Sequence, residues 1–199
     1  MRSCHVDERI IAKKLEILQE RSMIGVWPIE EWQFRLATFE APGEYTYEGE
    51  WQPLEERTTF AALRTVFLRA VTDTPRPETA QGRMFLAFDC EGLEGLIFLD
   101  GRPYAGLDRN HKRIPMSDPG RHEIEIEAIS ILRAYCQPEL RGTRASFSGG
   151  AWVEIDPEIE GVYHDLLFAW QAARVVQDER RRARLAAAVE DALLQIDLM

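Results

Sequence analysis

The spacing of hydrophobic and polar positions changes twice along this chain. Val6, Ile10, Ile11, Leu15 and Leu18 recur three and four residues apart, with Glu8, Lys13, Lys14 and Glu16 between them. That spacing predicts an N-terminal helix, ended by Gly25 and Pro28. From Trp32 the period falls to two. Trp32, Phe34 and Leu36 alternate with Gln33 and Arg35, and beyond a Pro42-Gly43 turn Tyr45, Tyr47 and Trp51 continue the alternation. Further strands are predicted at Arg64 to Val71, Met84 to Cys90, Leu96 to Leu99 and Arg102 to Ala105. The last two are joined by Asp100-Gly101, a type I′ hairpin signal. In His122 to Ala128 the apolar Ile124, Ile126 and Ala128 face one way and Glu123, Glu125 and Glu127 the other, the pattern of a half-buried antiparallel strand. Residues 137–150, with Pro138, Gly142, Gly149 and Gly150, read as a loop, and Ala151 to Ile155 as a last strand.

The helical period then returns. Asp156-Pro157 reads as an N-cap acid followed by proline at the first helical position. Ile159, Tyr163, Leu166, Leu167, Trp170 and Ala173 make one stripe, and Leu185, Val189, Leu193 and Ile196 a second within a helix from about Asp178 to Ile196. Grouped short strands between helical ends predict a mainly β chain: an antiparallel β-sandwich or jelly roll of galactose-binding-like type. The expected organisation is an N-terminal helix over 1–26, a sandwich over 27–155 and a C-terminal helical hairpin over 156–199. The hairpin's stripes can pack on each other, on the sandwich or on a further domain.

Charge narrows the function classes. Thirty-four acidic residues against 24 Lys and Arg give a net charge of −10, which repels phosphate backbones and anionic lipid, so neither nucleic acid nor membrane is an expected partner. The run Arg180-Arg181-Arg182 lies beside Asp178 and Glu179 in a helical pattern and reads as a solvated face. Cys4, Cys90 and Cys136 are odd in number and widely spaced, against a disulfide framework or zinc knuckle. The first 22 residues are too charged for a signal peptide, and a cytoplasmic location is expected.

Candidate chemistry is concentrated in one loop. The four histidines, His5, His111, His122 and His164, have no HxH, HxxxH or HExxH spacing, so no metal site is expected in this chain. There is no GxSxG motif, and Ser146-Phe147-Ser148-Gly149-Gly150 lacks the lysine of a phosphate loop and reads as a flexible connection. No catalytic residue is assigned. Asp108, Arg109, Asn110 and His111, by contrast, put an acid, a base, an amide and an imidazole in consecutive positions after the hairpin. They can hold sugar hydroxyls or a facing domain. Equally, Asp108 and Asn110 can cap turns while Arg109 pairs with a nearby acid. Among Trp27, Trp32, Trp51, Tyr104 and Trp152, core packing is the default and sugar stacking the alternative.

The stretch LIFLDGRPYAGLDRNHKRIPM resembles the N-terminal domain of cytosolic-type class II α-mannosidases, glycoside hydrolase family 38. Trp27-Pro28-Ile29 with Trp32, Pro42-Gly43-Glu44-Tyr45 with Gly49-Glu50-Trp51, and Ile155-Asp156-Pro157-Glu158 with Tyr163, Asp165 and Leu166 extend the resemblance over nearly the whole chain. It departs at Thr58 to Leu63, TTFAAL, where the family tends to a Trp-Gly-Gly stretch. Family members are several times longer, and their zinc-binding barrel opens with a His-x-His-x-Asp-x-x-Trp motif absent up to Met199. The resemblance therefore implies a non-catalytic accessory domain, with no cofactor of its own, beside a zinc-dependent catalytic domain of the same polypeptide. Its role would be in hydrolysing α-mannosides of oligosaccharides, with loop 106–111 facing that domain or a mannose-containing oligosaccharide. The alternatives are a free-standing carbohydrate-binding sandwich and a structural module that forms homo-oligomers.

Overall fold

A computed structural model describes residues 8–130 and 145–196. Cys4, His5 and Cys136 lie outside the described residues. The elements run α1 (Glu8–Ser22), β1 (Met23–Ile29), β2 (Gln33–Ala41), β3 (Glu44–Pro53), β4 (Thr58–Phe60), β5 (Thr65–Asp73), β6 (Arg83–Glu91), β7 (Leu93–Leu99), β8 (Arg102–Leu107), β9 (Arg113–Pro115), β10 (Arg121–Ser130), β11 (Ala145–Ile155), α2 (Pro157–Val175) and α3 (Glu179–Gln195). The fold is an antiparallel β-sandwich with an N-terminal helix and a C-terminal helical pair. Among the described residues no helix is long and apolar enough to cross a membrane.

The contacts divide the chain into two units. Residues 25–77 and 84–153 make the sandwich; the described parts of 1–24, 78–83 and 154–199 make the other unit. One sheet of the sandwich has the order β1-β11-β6-β9, with β4 also paired to β11; the other has the order β3-β2-β5-β10-β7-β8. The strands at the two ends of each order carry Pro28, Pro115, Pro53 and Pro103, positions where a missing N–H is tolerated. Leu86, Phe88, Phe147 and Trp152 from the first sheet meet Val66, Leu68, Ile97, Ile124 and Ile126 from the second in one buried cluster. Burying each of the large ones contributes roughly 1.5–3 kcal/mol.

β10 alternates as its sequence predicts. Ile124, Ile126 and Ala128 are buried, and Glu123, Glu125 and Glu127 point to the outer face. The Asp100-Gly101 turn has φ of 52° and 73°, both positive as a type I′ turn requires. The Asp100 carboxylate accepts the Glu123 N–H and the His122 Nδ1–H at 2.9 Å each, which pins the hairpin to β10.

Two expectations need correction. The N-terminal helix does not extend to residue 26: it ends at Ser22, whose hydroxyl donates to the Gln19 carbonyl at 2.7 Å. Gly25 and Pro28 instead lie in β1, an outer strand, where proline costs no ladder bond on its free side. The segment Ser146 to Gly150 is not a flexible connection either. It belongs to β11, which begins at Ala145 rather than Ala151, and Ala145, Ser146 and Phe147 pair with Phe60, Thr59 and Thr58. The packing around position 150 is tight and favours glycine. A Cβ there would lie 3.1 Å from the Ala87 carbonyl oxygen, the Phe88 ring and the Trp32 ring.

In the helical unit the stripes of α2 and α3 pack on each other and on α1. Ile11, Leu15, Trp170, Ala173, Ala186, Val189 and Leu193 form its core. Asp156 caps α2 by accepting the N–H groups of Glu158 and Ile159 at 2.9 and 3.2 Å. Glu154, fully buried, accepts the N–H groups of Glu78 and Thr79 at 2.6 and 2.9 Å and the Thr79 hydroxyl at 3.0 Å. Burial alone would raise its pKa; these three donors outweigh that and lower it.

Candidate functional site

The loop between β8 and β9 is anchored by buried Leu107 and Ile114. Asp108 organises it. Its Oδ1 accepts the N–H groups of Asn110 and His111 at 2.6 and 2.9 Å, and its Oδ2 accepts His111 Nδ1–H at 2.7 Å. The His111 bond, then the Asn110 N–H, hold the Asp108 carboxyl below its ordinary range. The structure thus brings Asp108 and His111 together in a local cap and leaves the exposed side chains of Arg109 and Asn110 projecting. Arg109 forms no ion pair among the described residues. A cleft of about 360 Å³ beside the loop is lined by His111 with Ala105, Gly106, Arg113, Ile114 and Pro115. Among the described residues no hydroxyl or thiol bonds to His111. No set of three His, Cys, Asp or Glu that could hold a metal occurs among the described residues.

A second cluster lies on the outer face of the six-stranded sheet. The register places Gln33 beside Arg69 and Arg35 beside Phe67 across β2 and β5; Arg69 neighbours Glu125, and Phe67 neighbours Glu127, across β5 and β10. β3 adds Tyr47 beside Ala37 and Tyr45 beside Phe39. The rings meet edge to face: Tyr45–Phe67 at 5.0 Å, Tyr47–Phe67 at 5.3 Å and Phe39–Tyr45 at 5.9 Å between centroids. Phe39 and Tyr47 remain 54% and 44% exposed, so this aromatic surface is open to a ligand. The Tyr45 hydroxyl donates to Glu127, a bond that, with burial, pushes the tyrosine pKa up to about 12.

An apolar cleft of about 590 Å³ adjoins these rings. Its walls include Phe39, Tyr45, Leu63, Leu96 and Ile129, and its polar groups are Thr38, Arg64, Thr65, Glu94 and Glu127. The volume is within the range of small-ligand pockets. None of the expected loop residues takes part. Of the five aromatic residues named from the sequence, Trp32 and Trp152 are buried in the core and Trp27 packs against it. Trp51 belongs to the outer face, stacked with Arg35 and Arg69. Tyr104 is exposed and donates its hydroxyl to the Pro115 carbonyl at 2.8 Å. The alternation of β2, β3, β5 and β10 places Arg35, Phe39, Tyr45, Tyr47, Phe67 and Glu127 on the face away from the core. Only the strand order shows that they meet.

His122 is a buried titratable group elsewhere in the sandwich. His122 donates Nδ1–H to Asp100 at 2.9 Å and faces the Asp118 carbonyl with Nε2 at 3.1 Å. A carbonyl oxygen can only accept, so both ring nitrogens are asked to carry protons. Burial lowers the His122 pKa, but the bonds to Asp100 and Asp118 outweigh it and the net shift is upward.

No family model matches the chain, and no curated protein matches it. Two solved structures of the CBM51-2 and INT domains of Clostridium perfringens ZmpB, the second in complex with GlcNAc, are similar to it at 13% and 12% identity. They cover 87% and 89% of this chain with TM-scores of 0.24 and 0.22. The chain spans 40% of the length of each.

Proposed function

We propose that this chain is a non-catalytic, carbohydrate-binding β-sandwich whose ligand lies on the outer face of the six-stranded sheet. The observation that carries this reading is the open aromatic surface of Phe39, Tyr45, Tyr47 and Phe67 beside the cleft of about 590 Å³. The C–H face of a pyranose stacks on such rings, while Glu94, Glu127 and Arg64 are hydrogen-bonding groups for its hydroxyls. Titration of the chain with neutral oligosaccharides containing mannose, galactose or N-acetylglucosamine, read by calorimetry and amide chemical shifts, tests it. Binding at millimolar affinity or better, with shifts at Tyr45, Tyr47 and Phe67, is expected. No binding across the panel overturns the reading.

A second reading places the sandwich as an accessory domain of a longer α-mannosidase-type glycoside hydrolase. The feature that favours it is the form taken by the stretch resembling that family. Residues 96–116 make one continuous piece, a pinned hairpin followed by a self-capped loop that projects Arg109 and Asn110. In this reading a barrel of the same polypeptide holds the zinc and performs the hydrolysis, and the loop braces it. Hydrolysis of an aryl α-mannoside by the full-length protein is then expected to fall when Arg109 and Asn110 are both changed to alanine. Full activity in the double variant would remove the loop from that role.

A further inference from the structure

Two guanidinium groups on the outer face have aromatic partners and, among the described residues, no acid partner. Arg35 Cζ lies 3.5 Å from the Tyr47 ring centroid and 4.7 Å from that of Trp51. Arg69 Cζ lies 4.1 Å from the same Trp51 ring. Arg69 Nε donates to Gln33 Oε1 at 2.9 Å, and Arg35 Nε is buried without an acceptor. Glu125 is the cross-strand neighbour of Arg69, yet neither arginine forms an ion pair among the described residues. This occurs in a chain with ten more acidic than basic residues, where a carboxylate is the commonest charged neighbour available. Half-buried arginines are ordinarily paired, because a charge moved out of water needs compensation.

Both guanidinium groups lie over aromatic rings, whose faces attract the cations and hold them in place. A cleft of about 630 Å³ opens beside them, lined by Gln33, Pro53, Arg69, Val71 and Arg121, with Glu31 and Glu123 also on its walls. Arg121 is partly engaged with Asp73 at 3.7 Å. Among the described residues, Arg69 is therefore a cation on this cleft without an ion-pair partner.

We infer that the ligand of this face carries a carboxylate: it is an acidic saccharide of the uronate class. This rests on the carbohydrate reading above and names the ligand chemistry of the same face. The uronate carboxylate takes the N–H edge of Arg69, and the adjoining sugar ring lies toward Tyr47 and Phe67. Glu31 and Glu123 accept hydroxyl protons and disfavour a second carboxylate at that end.

The test is a paired titration with tri-galacturonate and its neutral counterpart galactotriose, by calorimetry, on the wild-type chain and on Arg69→Ala. Thermal melting confirms that the variant is folded, and Arg69→Lys serves as a second variant that keeps the charge. The acidic trisaccharide is expected to bind at least about tenfold tighter than the neutral one, a difference that shrinks on going from about 0.05 to 0.5 M salt. Arg69→Ala is expected to abolish the preference, so that on this variant the acidic trisaccharide binds no more than about twofold tighter than galactotriose. Arg69→Lys should keep part of it, because a point charge remains without the bidentate fork. Equal affinity for the two trisaccharides overturns this inference and leaves the carbohydrate reading standing. Failure of both to bind, together with silence on the neutral panel, overturns the reading itself. An acidic preference unchanged in folded Arg69→Ala also overturns the inference.

Discussion

The loop 108–111 and the outer face around Arg69 are both rich in polar chemistry, and they use it in opposite ways. In the loop, Asp108 directs both carboxylate oxygens at its own neighbours, two backbone N–H groups and one imidazole. On the sheet, Arg35 and Arg69 are held by rings from another strand and have no acid partner among the described residues. Residues adjacent in sequence can satisfy one another locally, and here they largely do. Residues gathered from separate strands need the whole fold to bring them together, and here they leave bonding capacity unused. Density of functional groups along a sequence is thus a weaker guide to a site than unsatisfied capacity in space.

The largest effect expected from breaking this contrast lies beneath the face rather than on it. Leu68 is fully buried on the inner side of β5, next in sequence to Arg69. Leu68→Ala should lower stability by about 3 kcal/mol, whereas Arg69→Ala should change it by less than about 1 kcal/mol, as read by denaturant unfolding. Similar losses from the two would mean that the outer face is part of the structural core and not a free surface.

Next in size is the loss of binding. Tyr47→Ala should weaken oligosaccharide binding by about tenfold, while Arg109→Ala and Asn110→Ala should stay within about twofold. A reversal of that order, seen by calorimetry, would move the site to the loop. Within the loop itself Asp108→Ala should speed hydrogen exchange at the Asn110 and His111 amides by about tenfold and leave β10 amides unchanged. Unchanged loop amides would show that the cap is not what orders this segment.

The smallest effect is in pH dependence. His122 is raised above its ordinary value of 6.5, so its contribution is fully present below that pH and is lost as pH rises through the folded-state value. Asp100 is lowered below 3.8 by the His122 bond and the Glu123 N–H, so its contribution is present above 3.8 and lost as pH falls through the folded value. The pair is therefore most stabilising between these limits. Melting temperature across pH should peak there and flatten at the alkaline end in His122→Asn, whereas a wild-type profile unchanged by that substitution would disconnect the pair from stability.

Much of the frame was legible in the residue pattern. The glutamates of β10, the Asp100-Gly101 turn and the Asp156-Pro157 cap each encode their geometry within a few neighbouring positions. β1 was hidden because Gly25 and Pro28 look like helix stops; only its place at the end of a sheet makes proline acceptable. The start of β11 was hidden because Gly149-Gly150 looks like a hinge, whereas the small residue at 150 packs closely against Trp32, more than a hundred residues earlier. The cluster on the outer face was hidden for a related reason. Gln33, Arg35, Tyr47, Trp51 and Arg69 each look like an ordinary outward position, and their meeting depends on strand order.

The four prolines of the outer strands bear on how molecules of this protein meet. A sheet end with an uninterrupted row of free N–H and C=O groups is a template for foreign strands and, at high concentration, for aggregation. Pro28, Pro115, Pro53 and Pro103 each remove one donor from such a row. Ribbon-like growth from copy to copy is disfavoured at each of these ends.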